Sequence, residues 1–498
     1  MWLLQDLIEK LRLRTWSVDC GEMKLGQPSA PGPTEYVGPG YLRQEVDGTI
    51  TYKLYPPPPT TFDSQSIFPT MGVAGRLVGP ERFYQLEAID KAGTVWRVER
   101  TLPNPDTSFV GGRQFRLVTG VVHEISFTRP SRQEVSTLKM AFFTVEKVPG
   151  NASTEITTVT PDGSTSRSST LDTAQFSTAF GDFNIYNRPG MLVVEVVSPT
   201  TLPEHFDTRI VEALGLVLAK PLDWNVIELT ENGTETVRVR GAREVVDAKL
   251  PPPIVRGTID MSGGDVWRLF DKYLALVCKH TDDGFHPCSR HVFSVLEASE
   301  GAISARGLAL GVAVEGIAKD LFPDAASLTP TLKPVIKRLR KHFRAWEEFK
   351  DEGTKAALFD RVEAMLGRIL DISAKSRLYA IANEKAVYES HITAWNDLRH
   401  ASAHGVTPGS DDIQTLLDLC DKVTVLMYHL IFRAIDYEGS YKDYSVHGWP
   451  KKYYRGRPVT EEEIAVAAYY IWKNSGEQHG HDIEQWFTGK DQLEKGIY

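Results

Sequence analysis

The hydrophobic pattern of the chain changes once, close to residue 250, and this change constrains the fold more than any other feature. Before that point, short segments such as 49–55 and 191–197 alternate apolar and polar residues, which is typical of β-strands. Three consecutive prolines, Pro251 to Pro253, then form a stiff joint. Beyond them, apolar residues recur at the spacing of one helix face. The sequence therefore predicts an α+β protein whose strands and helices lie in separate domains.

The first predicted domain covers residues 1–252 and is rich in β-branched and aromatic residues. Asp47-Gly48 and Asn232-Gly233 are dipeptides that favour tight hairpins between strands. The pattern predicts an antiparallel, β-sandwich-like domain, with a barrel as the alternative. Residues 151–180 are rich in Ser, Thr, Asp and Gly, and are predicted to form a long flexible loop. Charges interrupt the apolar stretch at 1–16, which predicts a short amphipathic helix and not a signal peptide.

The second predicted domain, residues 253–440, is expected to be an all-α bundle. Residues 376–403 are predicted to form one long helix, and Gly405 is a good residue to end it. Other helices are expected at about 289–299, 302–321, 330–350, 354–373 and 410–435. The third predicted domain, residues 441–498, contains a connector and a small helical unit. Thr460 and Glu463 have the spacing of a capping box, which predicts that a helix begins there.

Composition excludes several classes of protein. The chain has 498 residues, of which 42% are hydrophobic and 24% charged, values that are ordinary for folded proteins. A formal net charge of −9 excludes a globally basic nucleic-acid coat. Four scattered cysteines do not make a disulfide scaffold, so we expect a reducing, cytoplasmic location. Because no run approaches 18 apolar residues, no transmembrane helix and no membrane partner are expected.

The strongest candidate site is Arg399-His400-Ala-Ser-Ala-His404, which is followed by Gly405. Arginine and histidine are the residue types that RNA cleavage without a metal requires. A neutral imidazole can accept the proton of a ribose 2′-hydroxyl, and an imidazolium can donate one to the leaving 5′-oxygen. A guanidinium can hold the phosphate through two parallel hydrogen bonds and stabilise the charge that grows on it.

The spacing of this motif sets a geometric condition. Residues five apart on an ideal helix point about 140° away from each other, whereas His400 and His404 share a face. One phosphate can therefore contact Arg399 and His404 only if the helix loosens before Gly405, or if two chains share a site. The alternative is a helix end at which cations interact favourably with the helix dipole and catalyse nothing.

The motif resembles that of the HEPN superfamily, whose ribonucleases carry Arg, a polar residue, three further residues and His. Arg399, His400 and His404 occupy those places. Residues 308–322 are similar to the earlier HEPN helix with its inward acidic residue, here Glu315. The favoured reading of Glu315 itself is structural, as one half of an i, i+4 ion pair with Lys319.

The order of a β-rich half and a helical half resembles the ApeA-like HEPN proteins of bacterial anti-phage defence. This resemblance implies a metal-independent endoribonuclease without a cofactor, gated by an N-terminal domain that senses a phage-derived trigger. It also implies RNA as substrate and a homodimer or higher homo-oligomer, because HEPN sites are usually formed across two chains. HEPN domains without activity exist, so a non-catalytic protein that dimerises and binds a ligand through its β domain is the alternative.

The last residues resemble a different family. Ile464, Trp472, Asp482, Trp486 and Leu493 are similar in type and spacing to a small bacterial helical domain of unknown function. That resemblance implies no reaction.

Two further clusters are candidate sites. Zinc-ligand residue types lie close together between residues 278 and 291, but their spacing is not that of a standard zinc finger, and a polar loop at a helix end is the alternative. They are Cys278, His280, His286, Cys288 and His291. A metal-dependent nuclease or a zinc-stabilised protein built on this cluster is therefore a further alternative function. A basic run includes Lys337, Arg338 and Lys341, which could bind an RNA backbone. The alternative is a solvated helix face with Leu339, Phe343 and Trp346 towards the core.

Overall fold

The computed structural model describes 5–28, 35–57, 76–110, 113–146, 148–159, 165–242, 249–254, 264–326, 332–345, 354–368, 372–403, 412–457, 459–476 and 480–495. The residues group into two compact units. Unit 1 takes in Met1–Asp207, Leu222–Val246 and Arg256–Gly263, and unit 2 takes in Thr208–Pro221, Asp247–Val255 and Gly264–Tyr498. The division of the chain at residues 252 and 440 stays a prediction.

Strands dominate unit 1 in its described part. They are β1 (Ser17–Gly26), β2 (Glu35–Gln44), β3 (Ile50–Leu54), β4 (Tyr84–Asp90), β5 (Val95–Thr101), β6 (Pro103–Val110), β7 (Arg113–Val122), β8 (Glu124–Pro130), β9 (Ser136–Phe142), β10 (Ala152–Val159), β11 (Thr165–Thr178), β12 (Gly181–Arg188), β13 (Met191–Ser198), β14 (Val226–Glu231) and β15 (Thr234–Arg240). Helix α1 (Gln5–Arg12) precedes them, and this confirms the amphipathic helix that the sequence predicts.

The sheet in unit 1 is antiparallel throughout its described pairs, as expected. Its strand order is β10-β11-β12-β13-β9-β14-β15-β8-β5-β4-β1-β2-β3-β7-β6, so hydrogen bonds join all of these strands into one sheet. A β-sandwich consists of two sheets, whereas the described strands form one hydrogen-bonded sheet, so the sandwich-like prediction differs from the structure. Alternating burial supplies the physical reason for the sheet, because residues such as Ile50, Tyr52 and Leu54 face one apolar core.

Two local predictions in unit 1 have opposite outcomes. The Asn232-Gly233 turn is confirmed: both residues have positive φ, of 51° and 72°, and Glu231 pairs with Thr234 across a two-residue loop. The flexible loop predicted at 151–180 is wrong, because β10 and β11 occupy most of it. Threonine is β-branched and favours strands, so a Thr-rich segment pairs readily once a neighbouring strand is present.

Helices dominate the described part of unit 2. They are α2 (Phe206–Leu218, from Thr208 onward), α3 (Gly264–Val277), α4 (Pro287–Ala298), α5 (Ile303–Leu321), α6 (Leu332–Arg344), α7 (Thr354–Arg368), α8 (Ala374–Asn383), α9 (Glu389–Ala403), α10 (Asp412–Ala434), α11 (Glu461–Asn474) and α12 (Asp482–Lys495). The connector also contains a hairpin that the sequence did not indicate, formed by β16 (Gly439–Lys442) and β17 (Lys451–Tyr454).

The long helix predicted at 376–403 is wrong, because the chain turns between α8 and α9. Lys385 has a φ of 63°, a left-handed conformation that no α-helix continues through. Ser373 caps α8 by accepting a hydrogen bond from the Ser376 amide. The Arg399 motif therefore begins in the last turns of a separate 15-residue helix.

Helices α5, α9 and α10 pack against one another and form the part of unit 2 that holds the candidate site. Their contacting faces are apolar, with Leu310, Val314, Leu398 and Leu426 each fully or almost fully buried. In the part of the chain that the structure describes, no helix combines the length and the apolar character that crossing a membrane requires.

Candidate functional site

Trp395 fixes the position of α9 against α5. Its side chain is 1% exposed, and its indole Nε1–H donates a hydrogen bond of 2.9 Å to the backbone carbonyl of Gly311. A Cβ at Gly311 would lie 2.9 Å from Cγ of Arg399, so this point of α5 accepts no larger residue without movement. The two helices therefore approach closely at the level where the motif begins.

Arg399 lies over this contact and bridges the two helices. One guanidinium nitrogen, Nη2, is 3.0 Å from Oε2 of Glu315 on α5, and the guanidinium carbon is 5.1 Å from the centre of the Trp395 ring. The side chain keeps 48% of its surface exposed. An aromatic face and a carboxylate thus hold the cation in place while much of it stays open to solvent.

Glu315 contacts two cations at once. Its Oε1 accepts a hydrogen bond of 2.7 Å from Nζ of Lys319, which is the i, i+4 pair that the sequence suggests. The hydrogen bond from Lys319 and the charge of Arg399 lower the pKa of this carboxyl against the opposing effect of burial. The contact with Arg399 is additional, and it makes Glu315 part of the candidate site.

The structure describes one of the two histidines of the motif. His400 is exposed in the last turn of α9, next to Arg399. His404 lies outside the described residues, and so does Gly405. The geometric condition that Arg399 and His404 share one phosphate therefore stays a prediction.

The basic run forms the exposed face of α6. Lys337, Arg338 and Lys341 are all exposed. The expectation that Leu339 turns to the core is wrong, since its side chain is 49% exposed. Trp346 lies outside the described residues. Phe343 does find an apolar partner, because its ring stacks on Phe359 of α7 at a centroid distance of 5.0 Å.

Among the five zinc-type residues, the rings of His280 and His286 lie close together, 5.8 Å between centroids, but the five do not form one group. His286 caps α4 through its own Nδ1, which accepts a 3.1 Å hydrogen bond from the Cys288 amide. His291 is 3.0 Å from Asp320 instead, and burial raises the pKa of the Cys288 thiol to about 12. Within the described ranges, no group of three or more His, Cys, Asp or Glu side chains is arranged to hold a metal ion. The five candidates are Cys278, His280, His286, Cys288 and His291.

Comparison with known proteins identifies one segment. A family model described as a protein of unknown function (DUF2934) matches residues 459–494, which hold α11 and α12. This match supports the predicted resemblance of the C-terminal unit to a small helical domain of unknown function. No curated protein and no solved structure matches the chain. The HEPN assignment stays a prediction from the Arg399 motif, and the anti-phage assignment stays a prediction from the order of the β-rich and helical halves.

Proposed function

We propose that the chain is a metal-independent endoribonuclease of the HEPN type. One observation carries the proposal: Trp395 and Glu315 hold Arg399 in a fixed place with half of its side chain exposed, beside an exposed histidine. A catalytic cation has to be oriented before the reaction, since only a preorganised charge stabilises the transition state without further rearrangement.

In the proposed reaction, the ribose 2′-oxygen attacks the neighbouring phosphorus while the bond to the 5′-oxygen breaks. His404 takes the proton of the 2′-hydroxyl or returns one to the leaving oxygen, and His400 assists by orientation or proton transfer. Arg399 stabilises the charge on the pentacoordinate phosphorus. The products are a 2′,3′-cyclic phosphate and a 5′-hydroxyl, and DNA resists because it has no 2′-hydroxyl.

The remaining parts of the proposal follow from the same resemblance. The exposed cations of α6, Lys337, Arg338 and Lys341, bind the RNA backbone. Two copies of the chain complete the site, so that His404 of one copy can act with Arg399 of the other. Unit 1 keeps the enzyme inactive until a phage-derived trigger binds, which is the arrangement expected of a bacterial defence protein in the cytoplasm.

A second candidate function has an observation in its favour. Glu315 already pairs with the guanidinium of Arg399, as it would if the cation served only to hold α9 on α5. In that case the helical unit dimerises without cleaving RNA, and the β-rich unit binds a ligand.

Labelled single-stranded RNA, incubated with purified protein in EDTA, distinguishes the two functions. We expect cleavage by the wild type and a loss of at least about 100-fold in Arg399→Ala and His404→Ala, the size seen when one transition-state donor is removed. Arg433→Ala is the matched control, because Arg433 also pairs with a glutamate, Glu384, at 3.1 Å, but lies on α10 away from the motif. It should cleave like the wild type.

The reaction is run with and without a lysate of phage-infected cells, which supplies a trigger. Cleavage that persists in Arg399→Ala and His404→Ala would contradict the proposed mechanism. Absence of cleavage in both conditions would favour the non-catalytic function. DNA of the same sequence should remain intact throughout.

A further inference from the structure

The loop between β16 and β17 faces α10 across a pocket of about 490 Å³, a size typical of small-molecule sites. Four polar side chains from α10 and five residues of the loop, two of them aromatic, line it. The α10 residues are Gln414, Asp418, Asp421 and Lys422, and the loop residues are Tyr444, Ser445, His447, Gly448 and Trp449.

Trp449 is held at this pocket in a strained conformation. Its φ of 49° is left-handed, which is an outlier for a bulky residue, and it also precedes Pro450. The Trp449 amide donates to the carbonyl of Val446 at 3.0 Å, and the Asp443 amide donates to the carbonyl of Pro450 at 2.9 Å, so the loop enforces this backbone. Even so, 48% of the tryptophan is exposed. Strain that presents an aromatic ring to solvent is typical of a binding site.

A lysine lies beside both aromatic rings. Tyr444 and Trp449 meet edge to face at a centroid distance of 5.5 Å, and the ammonium of Lys442 is 5.5 Å from the Trp449 ring and 5.9 Å from the Tyr444 ring. The segment 438–458 as a whole holds five Lys and Arg against two Asp and Glu, in a chain of net charge −9. Aromatic rings interleaved with cations are what single-stranded nucleic acid binds, with bases on the rings and phosphates on the cations.

The α10 wall of the pocket supplies hydrogen-bond acceptors. Asp418 accepts a hydrogen bond of 2.8 Å from the Gln414 side chain, and Asp421 is 3.4 Å from Arg306, which leaves Asp418 as the carboxylate without a cation among these described contacts. An ionised carboxylate only accepts hydrogen bonds. Among the bases, guanine presents two adjacent donors on its pairing edge, N1–H and N2–H, and fits a carboxylate through both.

We infer that this pocket binds an unpaired guanine nucleotide of RNA, with the base on Trp449, its donor edge on Asp418, and the phosphate near Lys422 and Lys442. The choice of RNA as the ligand rests on the proposed function. The pocket lies beside the first half of α10, the helix that follows the Arg399 motif in the chain. Recognition here would set which single-stranded segments reach the cleavage site.

Binding is measured by fluorescence anisotropy with labelled 2′-O-methyl RNA hexamers, which lack the free 2′-hydroxyl and cannot be cleaved. We expect the wild type to bind a hexamer with one guanine in an adenine background more tightly than all-adenine, all-cytosine or all-uracil hexamers. Trp449→Ala should weaken binding roughly five- to one hundred-fold, the range for one lost base stack. Tyr469→Ala is the matched control, since Tyr469 is an aromatic residue of similar exposure, 51%, on α11 and outside the pocket.

Asp418→Asn tests the base preference separately, because an amide presents one donor where the carboxylate has an acceptor. This variant should lose the preference for guanine, by about tenfold, and keep its affinity for the all-adenine hexamer. Equal affinities of Trp449→Ala and Tyr469→Ala would overturn the inference, and so would a wild type that binds none of the hexamers.

These outcomes are separable from those of the cleavage assay. Cleavage that depends on Arg399, together with binding that is indifferent to Trp449, would overturn only the pocket assignment. Guanine binding that depends on Trp449, without any cleavage, would leave the pocket in place and remove the ribonuclease.

Discussion

Helix α9 carries a histidine near each end, and the two have opposite environments. His391, close to its start, is 4% exposed, whereas His400, in its last turn, is exposed beside Arg399. The same residue type on the same 15-residue helix is therefore buried in the core at one end and open to solvent at the other. Burial, rather than residue type, therefore separates a packing histidine from a candidate catalytic one.

A cluster of imidazole and phenol rings surrounds the buried end of α9. His391 lies 6.0 Å from His429 of α10, centroid to centroid, and Tyr388, Tyr441 and Tyr454 surround the pair. Nδ1 of His391 and both ring nitrogens of His429 have no hydrogen-bond partner among the described residues. Burial lowers the pKa of His391 to about 4 and holds the pKa of His429 well below its usual value. Both rings are therefore neutral and act in packing.

The largest expected effect comes from the buried part of α9. Trp395→Ala removes a side chain that is 1% exposed and its hydrogen bond to Gly311, so we expect the free energy of unfolding to fall by about 3–5 kcal/mol. Urea denaturation followed by far-UV circular dichroism measures it. A loss below about 1 kcal/mol would mean that α9 is not anchored on α5 by this residue.

Acidification should produce the next largest effect, through the buried histidine. Unfolded His391 takes up a proton near pH 6.5, but folded His391 does so only near pH 4. Between these values the unfolded state binds more protons, so stability falls as the pH is lowered through the window, on the order of 3 kcal/mol for this one group. The facing charges are Asp443, which opposes the effect, and Lys452 and Lys422, which add to it.

Urea denaturation at a series of pH values from 7 to 4 measures this dependence. His391→Met keeps a side chain of similar volume without a titrating group. The slope of its unfolding free energy against pH should therefore correspond to about one proton fewer than in the wild type, in the same window. Parallel curves for the wild type and His391→Met would show that this end of α9 is not the protonation-sensitive one.

The smallest expected effect concerns the exposed end. Arg399→Ala breaks one ion pair and Glu315→Gln breaks two, and each of these pairs is partly open to solvent and contributes about 1 kcal/mol or less. Both variants should therefore unfold nearly as the wild type does. A loss of several kcal/mol in Arg399→Ala would make Arg399 a structural residue and would remove the contrast between the two ends of α9.

Much of the fold follows from local patterns in the sequence. The Asn232-Gly233 hairpin and the Thr460 capping box are set by residues within four positions of each other, and both are confirmed. The wrong predictions concern segments whose conformation depends on more than their own residue types. Strands β10 and β11 need partner strands, and the break before α9 depends on one left-handed residue, Lys385. The hairpin of β16 and β17 was missed because its strands have only four residues each.

The candidate site, too, is predictable from the sequence only in part. The motif itself is visible in the sequence as Arg399 and His400, and the pair of Glu315 with Lys319 follows from their spacing of four. The contact between Arg399 and Glu315 was not predicted. Gly311, which has no side chain, lies on α5 at the point where α9 approaches. For the pocket at Trp449, the sequence shows only that the connector, residues 438–458, is rich in tyrosine, lysine and glycine.

Local patterns in the sequence account for alternating segments such as β3 and for helices such as α11, and the sequence supplies the residue types of the motif. These properties depend on residues a few positions apart. The tertiary structure alone decided that Trp395 meets Gly311, 84 positions away, that His391 is buried while His400 is not, and that Trp449 faces α10. Such contacts depend on how whole helices pack, and many side chains share in setting that packing, so no short pattern specifies it.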